Sequence, residues 1–431
     1  MRRPAGRRLR PPAKVPLWAP AIAVVAALLL GGCGGGGGPS SANSTPAPAA
    51  APPAKPRKPG DVEQLEQLMK RRAAALAAGR ARAYAATAAG PQRDRDREVA
   101  RNASGLPLRD VSLHVDSSDV SGRAATLKVR AVYGVRGVRG TFDTTRRVRA
   151  RRTKQGWKVR SESTKRERFP WELGAVQSRR SPHFVVLAPQ GLPLDALMTA
   201  LEAGYARMGD VLKKPRLRRR YLVVVAGGAQ AARALTERIS GVESLAAISD
   251  AEVQETGSAK RVSEVVSQRL VVVWPPFSAL DADGQRRVVT HELTHAALAG
   301  VTSGRTPSWL IEGIALYVSE DRRSGDAARY LAGEASGRAR RALSLRALSE
   351  PDAIARLSGD GQAVAYAYAS AASFYIADRF GRKRFIKLYN AFNDEDLPGH
   401  AGLDTTRRAI RRTLGISLAR LDTDLRIALL G

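Results

Sequence analysis

The segment His291-Glu292-Leu293-Thr294-His295 sets two imidazoles four residues apart, with a carboxylate directly after the first. Residues i and i+4 project from one face of a helix, so both rings can reach one ion while Glu292 stands beside them to hold a water molecule. The chain has five histidines in 431 residues, which makes two of them in this register a specific signal. A catalytic zinc takes three protein ligands and keeps one position open, so a third donor is required. A histidine six residues beyond His295 would complete a three-imidazole set, but Val301 stands there. The better candidate is Glu312, in Thr306-Pro307-Ser308-Trp309-Leu310-Ile311-Glu312-Gly313-Ile314-Ala315-Leu316-Tyr317. Among those apolar neighbours an unpaired carboxylate is costly to bury, and coordination of a cation removes that cost. The competing reading is a surface or salt-bridged glutamate.

These groups need a rigid base. A long helix is expected from near Asp281 through the histidines, then a loop over 300–305, then a second helix capped by Thr306 or Ser308 with Pro307 in its first turn. Upstream, 183–187 reads as a strand, 193 to about 212 as a helix, and 221–225 and 269–274 as strands of the buried type. Downstream, 374–392 and 405–430 show helical periodicity broken at Gly381 and Gly415.

HELTH, followed after sixteen residues by the glutamate of P-S-W-L-I-E-G-I-A-L-Y, resembles the gluzincin metallopeptidases of the peptidase MA-like family, over about 250 residues from His183 onward. The resemblance implies that His291, His295 and Glu312 ligate Zn2+, that Glu292 is the general base, and that peptides or proteins are hydrolysed at the amide bond. One position departs from thermolysin-type relatives: Leu316, not an acid, stands four residues beyond the third ligand. The carboxylate that orients a ligand histidine must then come from elsewhere. The developing oxyanion needs a further donor. Tyr366 and Tyr368 lie in a helix-like stretch, 362–370, similar to the family's downstream segment. Tyr368 is the preferred donor, with core packing of both tyrosines as the competing reading. His400, in a Pro-Gly loop, is an outside candidate for a group over the cleft, against a plain surface histidine.

Length and composition bound the rest. With 44% hydrophobic residues and a net charge of +31, the chain can bury a sizeable core in two or three domains, so a wholly disordered chain is excluded. Cys33 is the only cysteine, which excludes a disulfide-stapled fold. From Asp61 to about Thr87 apolar residues recur at helical spacing, and 91–102 reads as a second helix. The period then changes to two, with strands expected at 111–113, 125–129, 135–142, 147–151 and 157–159, and turns over 116–122, 137–140 and 155–156. Two helices before antiparallel strands suggest a curved sheet wrapping a helix, and the order is similar to the nuclear-transport-factor-2-like cone fold. Arg146, Arg147, Arg149, Arg151, Arg152, Lys154, Lys158 and Arg160 make this stretch strongly basic. It reads either as a solvated sheet face or as a surface for anionic envelope polymers or headgroups. Aromatic residues are sparse beside these charges, and nucleic acid is not an expected partner.

The N-terminus reads as a targeting signal. Arg2, Arg3, Arg7, Arg8, Arg10 and Lys14 precede an apolar run of about 16 residues, short of the roughly 20 that span a bilayer. Leu30-Gly31-Gly32-Cys33 resembles the bacterial lipoprotein box, which implies a lipid on the Cys33 sulfur, a cell-membrane anchor and folded domains outside the cytoplasm. The Gly-, Pro- and Ala-rich residues 34–60 read as a tether.

The expected fold is therefore α+β in two domains. A small cone-like domain of helices and antiparallel sheet occupies 61–170, and a zincin-type α/β and helical metallopeptidase domain occupies 178–431. Two functions compete: a membrane-anchored zinc metallopeptidase, and a non-catalytic envelope-binding or scaffold lipoprotein on the same fold. The intact Glu292 favours the first.

Overall fold

The computed structural model describes residues 60–431 apart from 166, 214–217, 237–244, 258–259 and 338. The expected signal segment 1–33 with Cys33, and all of the tether but Gly60, lie outside the described residues.

Helix α1 (Asp61–Ala77) buries Leu65, Leu68, Met69, Ala73 and Leu76. Gly79, at φ +64°, separates it from α2 (Ala81–Ala86), so the helix expected to run to about Thr87 is two. A left-handed residue cannot continue a right-handed helix. Helix α3 (Pro91–Asn102) opens on a proline, whose missing N–H costs nothing in a first turn.

Strands β1 (Leu108–Ser121), β2 (Ala124–Val135), β3 (Thr141–Thr153) and β4 (Gly156–Ser163) follow as an antiparallel meander in that order. β1 runs through most of the stretch expected as a turn, and Gly122 alone takes the positive φ there, +55°. Conversely, much of 135–142, expected as a strand, is the β2–β3 connection, where Gly137 and Gly140 both have φ of +86°. The inner face of this sheet packs on α1: Leu65, Leu68 and Met69 meet Leu127, Val129, Val148 and Trp157.

The second sheet is built from β5 (Val176–Arg180), β6 (Phe184–Pro189), β7 (Tyr221–Ala226), β8 (Ala247–Thr256) and β9 (Arg261–Val273), with α4 (Asp195–Leu212) and α5 (Ala229–Leu235) in its connections. Its order is β5-β6-β7-β9-β8, with β6, β7 and β9 parallel and both edge strands antiparallel. The helices that follow are α6 (Trp274–Ser278), α7 (Ala282–Leu298), α8 (Ser308–Val318), α9 (Ser324–Arg329), α10 (Asp360–Phe380), α11 (Arg382–Ala391), α12 (Leu403–Leu414) and α13 (Leu418–Leu430). None of the described helices is long and apolar enough to cross a membrane.

The two-residue period of the buried strands divides their side chains between two layers. Val186, Val223, Val225, Leu270 and Val272 join the core with α4, α7, α8 and α10. Val185, Leu187, Leu222, Val224, Val271 and Val273 face the other way, onto α5 and the open end of the first domain, including Tyr133, Phe142, Phe169 and Trp171. The first domain therefore supplies the layer behind the sheet. Gly140 marks how close they come: a Cβ there would lie 2.4 Å from the Val266 carbonyl oxygen.

Candidate metal centre

Asp281 starts α7, its carboxylate accepting the Gly284 N–H at 2.7 Å as an N-cap. The next turns carry His291, Glu292 and His295 into the core, against α4. Gly204 permits that approach, because a Cβ on it would stand 2.8 Å from Thr290 Oγ1. Helix α8 brings Glu312 from the other side. Its N-cap is Pro307, in extended conformation, rather than Thr306 or Ser308. Gly313, beside Glu312, lets α10 pass close to α8, since a Cβ would fall 2.7 Å from the Ala369 carbonyl oxygen. Small residues at two helix crossings thus hold the ligand-bearing helices together.

The two Nε2 atoms of His291 and His295 lie 3.0 Å apart, and Glu312 Oε2 is 3.3 and 3.6 Å from them. With ligand bonds of ~2.0–2.1 Å, a tetrahedral zinc site sets its donors about 3.3–3.4 Å apart. All three side chains are buried, and Glu312 Oε2 has no hydrogen-bond partner among the described residues. Two imidazole nitrogens and an orphaned carboxylate oxygen converging in the interior make a donor set for a divalent cation, and N,N,O ligation suits zinc.

The electrostatics agree. Burial holds the His291 imidazole below its ordinary pKa, so it is neutral and its lone pair is available. Burial works to raise the Glu312 carboxyl, but the His295 and His291 rings outweigh it and lower the pKa to about 2. Glu292 goes the other way: burial, then the charge of Glu312, pushes it well above the usual carboxylate range. The Ser249 N–H of β8 opposes this by donating to Glu292 Oε2 at 2.7 Å. One oxygen of Glu292 is thereby pinned and the other is left for a proton.

The structure separates the two tyrosines. Residues two apart on a helix point about 200° from each other. Tyr366 faces the centre: its hydroxyl is buried without a hydrogen-bond partner among the described residues, and burial followed by the Glu312 and Glu292 carboxylates holds its pKa well above 10. Tyr368, the preferred donor from sequence, turns to α13 and donates to Asp422 Oδ1 at 2.8 Å. That expectation is corrected: the hydroxyl of Tyr368 is committed elsewhere. His400 is exposed in the loop between α11 and α12 and is not in the cluster.

Two contributions had little or no signal in the sequence. Ser249 acts through its backbone, which any residue could supply. Asp321, just past α8, is the acid beyond the ligand set whose charge acts on His291, and Arg323 Nε grips it at 3.0 Å. It stands five residues beyond Leu316, where no spacing rule would find it.

No family model matches this chain, and no curated protein matches it. Solved structures give partial likenesses. An M1 zinc metallopeptidase mutant from Deinococcus radiodurans, bound to a Tyr-Ser-Ala substrate, is 12% identical, with 71% of this chain and 90% of that chain covered at a TM-score of 0.33. A two-domain M1 zinc metallopeptidase mutant bound to L-tryptophan is 15% identical over 65% of this chain, at a TM-score of 0.32; the chain spans 58% of its length. A SEC-C motif containing protein from Rhodopseudomonas palustris is 23% identical over 22% of this chain and 75% of its own, at a TM-score of 0.20.

Proposed function

We propose that this protein is a zinc-dependent metallopeptidase, held by a lipid on Cys33 at the outer face of a bacterial cell membrane, that hydrolyses peptide bonds. The observation that carries the reading is the buried convergence of His291 Nε2, His295 Nε2 and the orphaned Glu312 Oε2, with Glu292 and the unpartnered Tyr366 hydroxyl beside them.

His291, His295 and Glu312 would hold a zinc ion, which when bound would polarise the scissile carbonyl and lower the pKa of a water molecule. Glu292 is the general base. Its buried environment favours the protonated form, so the carboxyl can take a proton from water and hold it until the leaving amine needs it. Ser249 fixes the carboxylate rotamer during both transfers. Tyr366 donates to the developing oxyanion, and its raised pKa keeps the phenol protonated for that purpose. β8 ends the sheet, so its outer edge offers backbone groups beyond Ser249 to an extended substrate.

The test compares wild type with Glu292→Gln at equal zinc loading on a mixed quenched-peptide library. Cleavage by wild type alone, reduced at least a hundredfold in the variant, is the expected result. Zinc bound by both proteins and cleavage by neither would overturn the peptidase reading in favour of a scaffold lipoprotein.

A further inference from the structure

The outer face of the four-stranded sheet carries a grid of cations. Alternation buries Val148 and Ala150 and turns Arg147, Arg149 and Arg151 outward from β3. The register sets Lys128 opposite Arg147, and Arg130 opposite Thr145, on β2, and Lys158 opposite Arg151 on β4. Strands lie roughly 4.8 Å apart and same-face residues about 6.8 Å apart along each, so these side chains form a two-dimensional array rather than a line. The remaining outward positions on these strands are Ala124, Thr126, Val132, Thr145, Ser161 and Ser163, with Asp143 on β3 and, on neighbouring β1, His114 and Asp119.

Arg146, Arg152 and other arginines of this domain are paired with acids, whereas Lys128, Arg130, Arg147, Arg149 and Arg151 have no acidic partner among the described residues. A sheet that places its paired arginines inside and its unpaired ones together outside presents uncompensated positive potential over a flat surface. Among the described residues no Phe, Tyr or Trp stands among these cations to stack a base.

The chain enters the domain at the β3–β4 end of this sheet, on its helix-covered side. Asp61, the first residue of α1, pairs with Arg152 and accepts from Trp157 Nε1 at 3.4 Å, beside Arg151 and Lys158 at the β3–β4 end. Covalent geometry limits the stretch from Cys33 to Gly60 to about 95 Å. A lipid on Cys33 would therefore keep this end of the sheet within reach of the bilayer at high effective concentration.

We infer that the outer face of β2, β3 and β4 docks on anionic phospholipid headgroups, lying flat on the membrane in which the proposed lipid is anchored. This rests on the membrane-anchor part of the proposed function and is independent of its peptidase part.

The full chain is bound to vesicles of phosphatidylcholine alone or with phosphatidylglycerol, and arginine modification by phenylglyoxal is followed by mass spectrometry. Retention on phosphatidylcholine reports the anchor by itself; protection that depends on phosphatidylglycerol reports the face. Arg130, Arg147, Arg149 and Arg151 are expected to react at least fivefold more slowly on the anionic vesicles, while Arg329 and Arg356 in the second domain do not change. High salt should abolish the difference. In the triple variant Arg147→Gln, Arg149→Gln, Arg151→Gln, headgroup affinity should fall by about a hundredfold, at roughly fivefold per cation, and Arg130 should lose protection. Equal modification on both vesicles would overturn the inference. So would protection by soluble polyphosphate or duplex DNA but not by vesicles, which would assign the face to a linear polyanion.

Discussion

Replacing Gly313 by alanine should disturb the metal centre without touching a ligand. In the middle of α8 the substitution would by itself stabilise a helix by about 1 kcal/mol. Here the added Cβ would stand 2.1 Å from Ser373 Oγ and 2.7 Å from the Ala369 carbonyl oxygen of α10. The Ser373 hydroxyl has no hydrogen-bond partner among the described residues and can rotate away at little cost. The carbonyl belongs to a helix and cannot. It falls about 0.7 Å short of an ordinary ~3.4 Å contact, so α8 and α10 must separate by roughly that amount. Overpacking of this kind costs about 3 kcal/mol at the upper end, which leaves a net destabilisation of about 2 kcal/mol after the helix gain. At roughly 2–4 °C per kcal/mol, the melting temperature of the metal-free protein should fall by about 4–8 °C. Glu312 is the preceding residue and moves with α8 relative to the histidines on α7, so zinc affinity should weaken about 10–100-fold. Calorimetry and competition with a chromogenic chelator measure the two quantities. Gly313→Ala combined with Ser373→Ala should recover only part of either loss, because the carbonyl contact remains. A single variant with melting temperature within 1 °C and affinity within about twofold of wild type would refute the argument that this crossing positions Glu312.

Further outcomes follow from the same geometry. Tyr366→Phe should lower kcat about 10²–10³-fold with zinc affinity retained, whereas Tyr368→Phe should leave kcat within a few-fold and cost about 1 kcal/mol of stability through Asp422. Steady-state kinetics beside thermal melts separate the two, and the reverse pattern would restore Tyr368 as the donor. In the first domain, burial acts to raise the Glu162 carboxyl, but Arg146 and Arg72 outweigh it and hold the group below its ordinary value. Because the folded pKa is the lower one, Glu162 stabilises the protein above the unfolded value of about 4.3 and loses that contribution as pH falls towards the folded value. Asp96 in the same network is shifted up, chiefly by burial, so its protonation favours the folded state and offsets part of the loss. Glu162→Gln should cost about 3–5 kcal/mol at pH 7, and the gap from wild type should narrow below pH ~4 in denaturant melts; a gap constant with pH would contradict the assignment.

The sequence by itself determined whatever is local. His291 and His295 share a helix face because their spacing matches one helical turn, and Asp281 announces where that helix begins. Glu312 was legible because a lone carboxylate in an apolar helix needs a partner. The strands 183–187 and 221–225 were legible because a continuous β-branched run has one stable use, a strand buried on both faces. β8 was not, because its Ser-Asp-Ala-Glu-Val-Gln-Glu-Thr stretch follows neither apolar period and owes its pairing to β9. Tertiary structure alone decided which tyrosine faces the centre. Tyr366 and Tyr368 have the same propensity and the same neighbours, and only the packing of α10 between α8 and α13 turns one to Glu312 and the other to Asp422. It also decided that Ser249 holds Glu292, that the charge of Asp321 acts on His291, and that the first domain covers the back of the second sheet. Each of these depends on distances between elements far apart in the chain. Helical and strand periods fix where side chains point within an element, and they carry no record of what waits opposite.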